Sequence, residues 1–359
     1  TGIVDETGAR YASWSYDCLG QATASQHAGG MDKVTLSYNT LPDANGITTT
    51  TVTHYLGDPA NPQTTVRTYS FKTILGVTRN VGIDQPCVEC GDAASRAYDA
   101  NGNLISKTNW NGNKTTYSYD LSRNLETSRT EAVGTAQART ITTQWHPTYR
   151  LPVQITEPGR ITTLAYDPSG NLLQKTITAG SNSRSWSYTY NAVGQVLTAT
   201  GPRTDVADTT SYSYDPQGNL ASITNAAGQV TTLSNYDTAG HVGRITDPNG
   251  VTTGLTYDPR GRLTARSIAG ETTTYTYDST GQLTNITLPD GASLNYTYDA
   301  AHRLTQVSDS LGNHITYTLD ALGNRIQEQV KDPTGALTRQ TSRIYDTLTR
   351  LQQVSGGLQ

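Results

Sequence analysis

Apolar or aromatic residues alternate with polar ones along most of the chain, and turn residues break the alternation at regular intervals. Residues 272–291 show the unit. Thr273, Tyr275 and Tyr277 stand two apart, so a strand places them on one face. Thr and Tyr both suit a pleated surface. Asp278 then opens a turn that Gly281 closes. A type I turn prefers Asp first, because the carboxylate accepts backbone N–H groups, and Gly fourth, because Gly tolerates positive φ. Such a Gly also suits the bulge that completes many hairpins. Leu283 to Leu288 carries the chain back, and Pro289-Asp290-Gly291 turns it into the next unit. The pattern predicts one β-hairpin per unit.

The unit recurs about every 21 residues. It reads Tyr98-Asp99-x-x-Gly102-Asn103-Leu104, Tyr166-Asp167-x-x-Gly170-Asn171-Leu172 and Tyr214-Asp215-x-x-Gly218-Asn219-Leu220. Looser copies stand at Tyr236-Asp237, Tyr257-Asp258, Tyr277-Asp278 and Tyr298-Asp299. Degenerate ones stand at Tyr119-Asp120, Trp145-His146, Tyr190-Asn191, Leu319-Asp320 and Tyr345-Asp346. A fixed period in this range marks a repeat architecture. Tyr-x-Tyr pairs such as Tyr188/Tyr190, Tyr275/Tyr277 and Tyr296/Tyr298 are expected to form aromatic rows where neighbouring hairpins pair.

Twelve such turns imply about 24 strands, a sheet roughly 115 Å across at about 4.8 Å per strand. Open twisted sheets rarely exceed about ten strands without curling or splitting. Curled into one circular turn, this sheet would enclose an opening roughly 37 Å wide, against ~10 Å between packed sheets. The expected fold is all-β: tandem hairpins forming a curved, continuous antiparallel sheet around a hollow. Residues 1–97 are expected to be irregular repeats with longer loops and 98–359 the regular array. Both ends are expected to be cut from a longer chain, since the first turn signals come early and a new repeat begins at Tyr345.

Composition fits half-wet faces better than a solid core. Counted with Gly and without Tyr, apolar residues are about 37%, below the roughly 45–50% usual in globular proteins. There are 22 Tyr and 1 Phe; a phenol packs its ring while its hydroxyl keeps a partner in water. The net charge of −4 is small and the strand pattern strong, which argues against disorder. No run reaches the roughly 18 apolar residues of a membrane span, and no secretory signal opens the chain. The 26 Lys and Arg form no basic stripe, so nucleic-acid binding is not indicated.

Candidate chemistry is sparse. Cys87 and Cys90 have metal-like or redox-like spacing, but the other thiol is Cys18, with His27 and His54 the nearest upstream imidazoles. A structural zinc site needs four ligands, and a thioredoxin-like motif needs a βαβ setting. A local disulfide or two inert loop thiols is the better reading. The six histidines do not cluster in sequence, and His146 and His302 read as replaced turn residues. Nucleophile-elbow, zinc-protease, phosphate-loop and calcium-nonapeptide motifs are absent. An Asp found at the same turn position in every hairpin is a turn requirement before it is a catalyst. The expectation is no catalytic, cofactor-binding or metal residue, no cofactor, and no enzyme activity.

The Y-D-x-x-G-N-L turns and the T-x-Y-x-Y-D strands before Asp278 and Asp299 resemble the Rhs/YD-repeat family: bacterial Rhs polymorphic toxins, the C component of insecticidal Tc toxins, and teneurins. Arg10 to Asp17 and the unbroken array resemble bacterial Rhs proteins in particular. The resemblance implies a hollow β-cocoon that encloses a C-terminal toxin domain for delivery to rival cells. The partners it implies are that toxin, the rest of the shell, and a spike protein and chaperone of a secretion system. It also implies synthesis in the bacterial cytoplasm before delivery. The family's D-P-x-G-L region is missing, since Asp167-Pro168-Ser169-Gly170-Asn171 and Asp332-Pro333-Thr334-Gly335-Ala336 are ordinary turns. Neither the self-cleavage site nor a toxin carries over. The teneurin side of the resemblance gives the alternative, a surface adhesion or carbohydrate-binding module using the Tyr rows.

Overall fold

The structure, a computed structural model, describes residues 1–6, 8–56, 63–86, 93–346 and 349–358. Cys87 and Cys90 lie outside the described residues. Thirty-one strands are present among those described, in one antiparallel sheet, and the only helical piece among them is a single 3-10 turn, Ala28–Gly30. By its internal contacts the chain divides into two units: Ser95–Glu271, and Thr1–Ala94 together with Thr272–Gln359.

Within Ser95–Glu271 each strand pairs with its sequence neighbours. Arg160–Tyr166 and Leu172–Ala179 form one hairpin, with Thr163 opposite Thr176 and Leu164 opposite Lys175. The next, Asn182–Tyr190 with Val196–Thr200, sets Tyr188 opposite Ala199. Alternation appears directly in exposure: Thr162, Leu164 and Tyr166 are half-buried while Ile161, Thr163 and Ala165 are exposed. The polar face is joined by cross-strand hydroxyl pairs, Thr189–Thr198 at 2.6 Å and Ser213–Ser222 at 2.7 Å. Such pairs add a few tenths to about 1 kcal/mol each.

The second unit repeats the scheme from Thr272 onward. Tyr275 faces Ile286, and Ile286 faces Leu294 on the next hairpin; Tyr296 faces Val307, which faces Ile315. The expected aromatic rows are therefore mixed. A return strand stands between successive Tyr-bearing strands and supplies an aliphatic neighbour. The N-terminal part of this unit has the longer strands, Ile47–Leu56 and Gln63–Ile74, paired from Ile47–Lys72 to Leu56–Gln63.

Many of the Tyr-Asp hairpins carry a register shift at the residue before the turn. Thr276 pairs with Asn285 but Tyr277 with Leu283, so one extra residue enters the return strand. The same shift occurs at Tyr166, Tyr190, Tyr214, Tyr257 and Tyr298. The bulge brings Leu283 and Ile286, three apart, onto the face of Tyr275 and Tyr277. It also strengthens the local twist. Among the described residues no side chain falls below 2% exposure, and the buried apolar positions are few and small: Ala12, Ala93, Ala301 and Ala321 with Ile83, Leu125 and Ile141. Sheet pairing, not a packed core, holds these hairpins.

Candidate functional site

The repeated turn follows one plan in many of the hairpins. At Asp167 the backbone N–H donates to Asn171 O (2.9 Å) and Gly170 N–H donates to Asp167 O (3.0 Å). One carboxylate oxygen accepts from the N–H groups of Ser169 and Asn171, and the other from the Asn171 side-chain amide (2.9 Å). Gly170 sits at φ 87, the left-handed region that favours Gly. Asp99/Asn103, Asp215/Asn219 and Asp309/Asn313 repeat the arrangement. Arg262, Arg303 and His241 take the amide's place elsewhere. In each of these four Asp/Asn turns the side-chain amide, then the backbone N–H groups, hold the carboxylate below its ordinary range. These carboxylates are committed acceptors, the opposite of groups tuned near neutral pH for proton transfer.

The same position also links one turn to the next. Gln195 donates to Gly218 O (2.7 Å), Gln282 to His302 O (2.9 Å) and Arg303 to Asp320 O (2.7 Å). The sequence reading missed this role, although the Asn, Gln, His and Arg four residues after each Asp carried the signal. It also placed the tyrosine hydroxyls in water. Instead, Tyr166 donates to Pro152 O (2.9 Å), Tyr190 to Leu172 O (2.8 Å), Tyr214 to Val196 O (2.9 Å) and Tyr298 to Leu283 O (2.9 Å). Each acceptor begins the return strand of the preceding hairpin. Trp145 does the same with its indole N–H, to Glu126 O (2.7 Å). Phe has no such donor, which explains the Tyr bias at these positions.

Degenerate turns find substitutes. His146 stands where Asp is expected, and its Nδ1 accepts from the N–H groups of Thr148 (3.2 Å) and Tyr149 (3.1 Å). Its longer loop is tied down by Arg123, which donates to the carbonyls of His146 and Tyr149 at 2.8 Å each. Asn124 supplies the positive φ where Gly is missing. His302 takes a Gly position at φ 61.

In the unit made of the N- and C-terminal parts, two distant segments meet. Asp5 opens a repeat-type turn, with Gly8 N–H on Asp5 O and Asp5 N–H on Ala9 O. Ala9 offers no side-chain amide, and the second carboxylate oxygen is 3.3 Å from Nε2 of His302, 297 residues away. His302 stacks on Tyr11 (4.3 Å, 17°), and Tyr11 also meets His27 (4.8 Å). Asp32 N–H donates to Ala321 O at 2.8 Å. The Asp32 carboxyl is raised above its ordinary range by burial, opposed by His27 and Arg303 and reinforced by Asp320 and Asp299. His27 and His302, distant in sequence, thus both meet Tyr11.

Among the described residues no three or more His, Cys, Asp or Glu are grouped to hold a metal ion, and Cys18 is an exposed free thiol. No helix of the described chain is long and apolar enough to cross a membrane. An open cavity of about 510 Å³ lies beside Asp215, Tyr236 and Asp237. Its two carboxylates are already engaged by their own turns.

Residues 151–325 match the family described as Teneurin YD-shell, and residues 98–136 match RHS Repeat. No curated protein matches the chain. Among solved structures, the Photorhabdus luminescens Tc holotoxin pore is similar at 16% identity and a TM-score of 0.63, over 95% of this chain and 22% of that one. The TcdB2-TccC3 crystal structure is similar at 14% identity and 0.61, over 98% of this chain and 24% of that one. At these identities the likeness is one of fold. The chain spans about a quarter or less of the length of those proteins.

Proposed function

Taking as premise that the chain is an Rhs/YD-repeat protein with a shell-type structural role, we propose that it is a wall segment of a shell enclosing an effector toxin. The wall acts sterically. It keeps cargo from the producing cell until delivery, with no chemistry of its own. The observation that carries the reading is the use made of the repeated functional groups. Asp carboxylates close turns and Tyr hydroxyls join hairpins. A continuous wall needs every hairpin joined to the next, because an unpaired strand edge invites other chains. The cargo, the remainder of the shell and a delivery spike with its chaperone are the partners this role calls for. Protease challenge of the longer protein tests it. A cargo domain should resist digestion while the wall is intact and become sensitive when hairpin joints are removed. Equal sensitivity in both states would refute enclosure.

A further inference from the structure

The contact between residues 5–32 and 302–321 differs in kind from every hairpin joint around it. Neighbouring hairpins share ladders of backbone hydrogen bonds, as in Asn285–Asn295 through Thr287–Ser293. Here, one backbone bond, Asp32 N–H to Ala321 O, is accompanied by side chains. Two departures from the repeat meet at it. Ala9 carries no side-chain amide, and His302, which replaces the Gly of its turn, reaches an oxygen of Asp5. Ala301 and Ala321 are buried, at 6% and 3% exposure, while the side chains of His27 and Asp32 remain partly exposed.

The contact is also electrostatically opposed. Burial raises the Asp32 carboxyl above its ordinary range, His27 and Arg303 oppose the rise, and Asp320 and Asp299 add to it. Arg303 is already engaged by Asp299 at 2.7 Å. His27 stands 3.9 Å from Asp32. Partly burying a charge costs stability unless it is fully paired.

We propose that this contact is a releasable latch. Asp5, Tyr11 and His302 hold it shut, Asp32 strains it, and it opens before any hairpin of the same unit. The latch is a property of this unit alone and stands apart from what the wall encloses. The raised carboxyl of Asp32 supports the sign: its ionised form opposes closure, so the latch tightens as pH falls through that group's titration.

Amide hydrogen exchange on the full chain, at low urea, tests the proposal. The Asp32 amide should exchange through an opening that leaves the Asn285–Asn295 ladder protected. His302→Gly restores the usual turn residue, so the hairpin should still fold while the latch opens on the order of five-fold faster. Asp5→Asn should act in the same direction. Asp32→Asn should slow opening, because Asn keeps the backbone donor and tolerates the positive φ of 50 at this position. Opening of Asp32 only together with the ladder would overturn the latch. So would Asp32→Asn and His302→Gly accelerating exchange alike.

Discussion

Tyr190 donates its hydroxyl hydrogen to the carbonyl oxygen of Leu172, 2.8 Å away, across the gap between two hairpins. The ladder between those hairpins ends at Gln174–Ser187, two residues short of Leu172. The bulge at Tyr190 therefore turns a side chain into the last rung. A half-buried carbonyl that would otherwise lack a partner is satisfied.

Tyr190→Phe should cost about 1 kcal/mol, the net worth of a hydrogen bond with its acceptor left behind. Tyr188→Phe, two residues earlier on the same face, should be nearly neutral. Urea unfolding midpoints of the two variants check this. Equal midpoints would mean that the ring alone matters.

The reverse substitution should stabilise. Leu319 occupies the Tyr position of its hairpin, and the ladder before it ends at Gln306–Thr316, short of Leu304. Leu319→Tyr places a hydroxyl where Tyr298 has one for Leu283. We expect a gain of about 1 kcal/mol, read as a higher unfolding midpoint. A lower midpoint would show that the pattern does not extend to this hairpin.

The turns set an acid limit. Asp99, Asp167, Asp215 and Asp309 titrate below the ordinary 3.8 when folded, chiefly through the Asn amide four residues on. A depressed folded value means their contribution is complete above pH 3.8 and is lost as pH falls from there through the lower folded values. Stability measured from pH 6 to pH 2 should be flat with respect to these groups and then fall steeply. Asn171→Ala should move the onset of the fall to higher pH. An onset unchanged by that variant would remove the amide from the account.

Much of this was legible in the sequence and some was not. The Tyr-Asp period and the Asp-to-Gly turn announce hairpins because both obey local backbone rules. Leu283 and Ile286 did not announce a strand face. Their spacing of three contradicts strand alternation until the bulge at Tyr277 is known. The acceptor of Tyr190 lies 18 residues back on another hairpin, and local patterning carries no signal for it. Asp5 and His302 are visible as departures from the repeat, yet only the fold brings them together. Cys87 and Cys90 lie outside the described residues.

Electron microscopy of the longer protein that carries this segment tests the central claim most directly. The account predicts a continuous hairpin wall curving around an interior that holds separate cargo density. A solid particle, or a wall with an interior that is always empty, would contradict it.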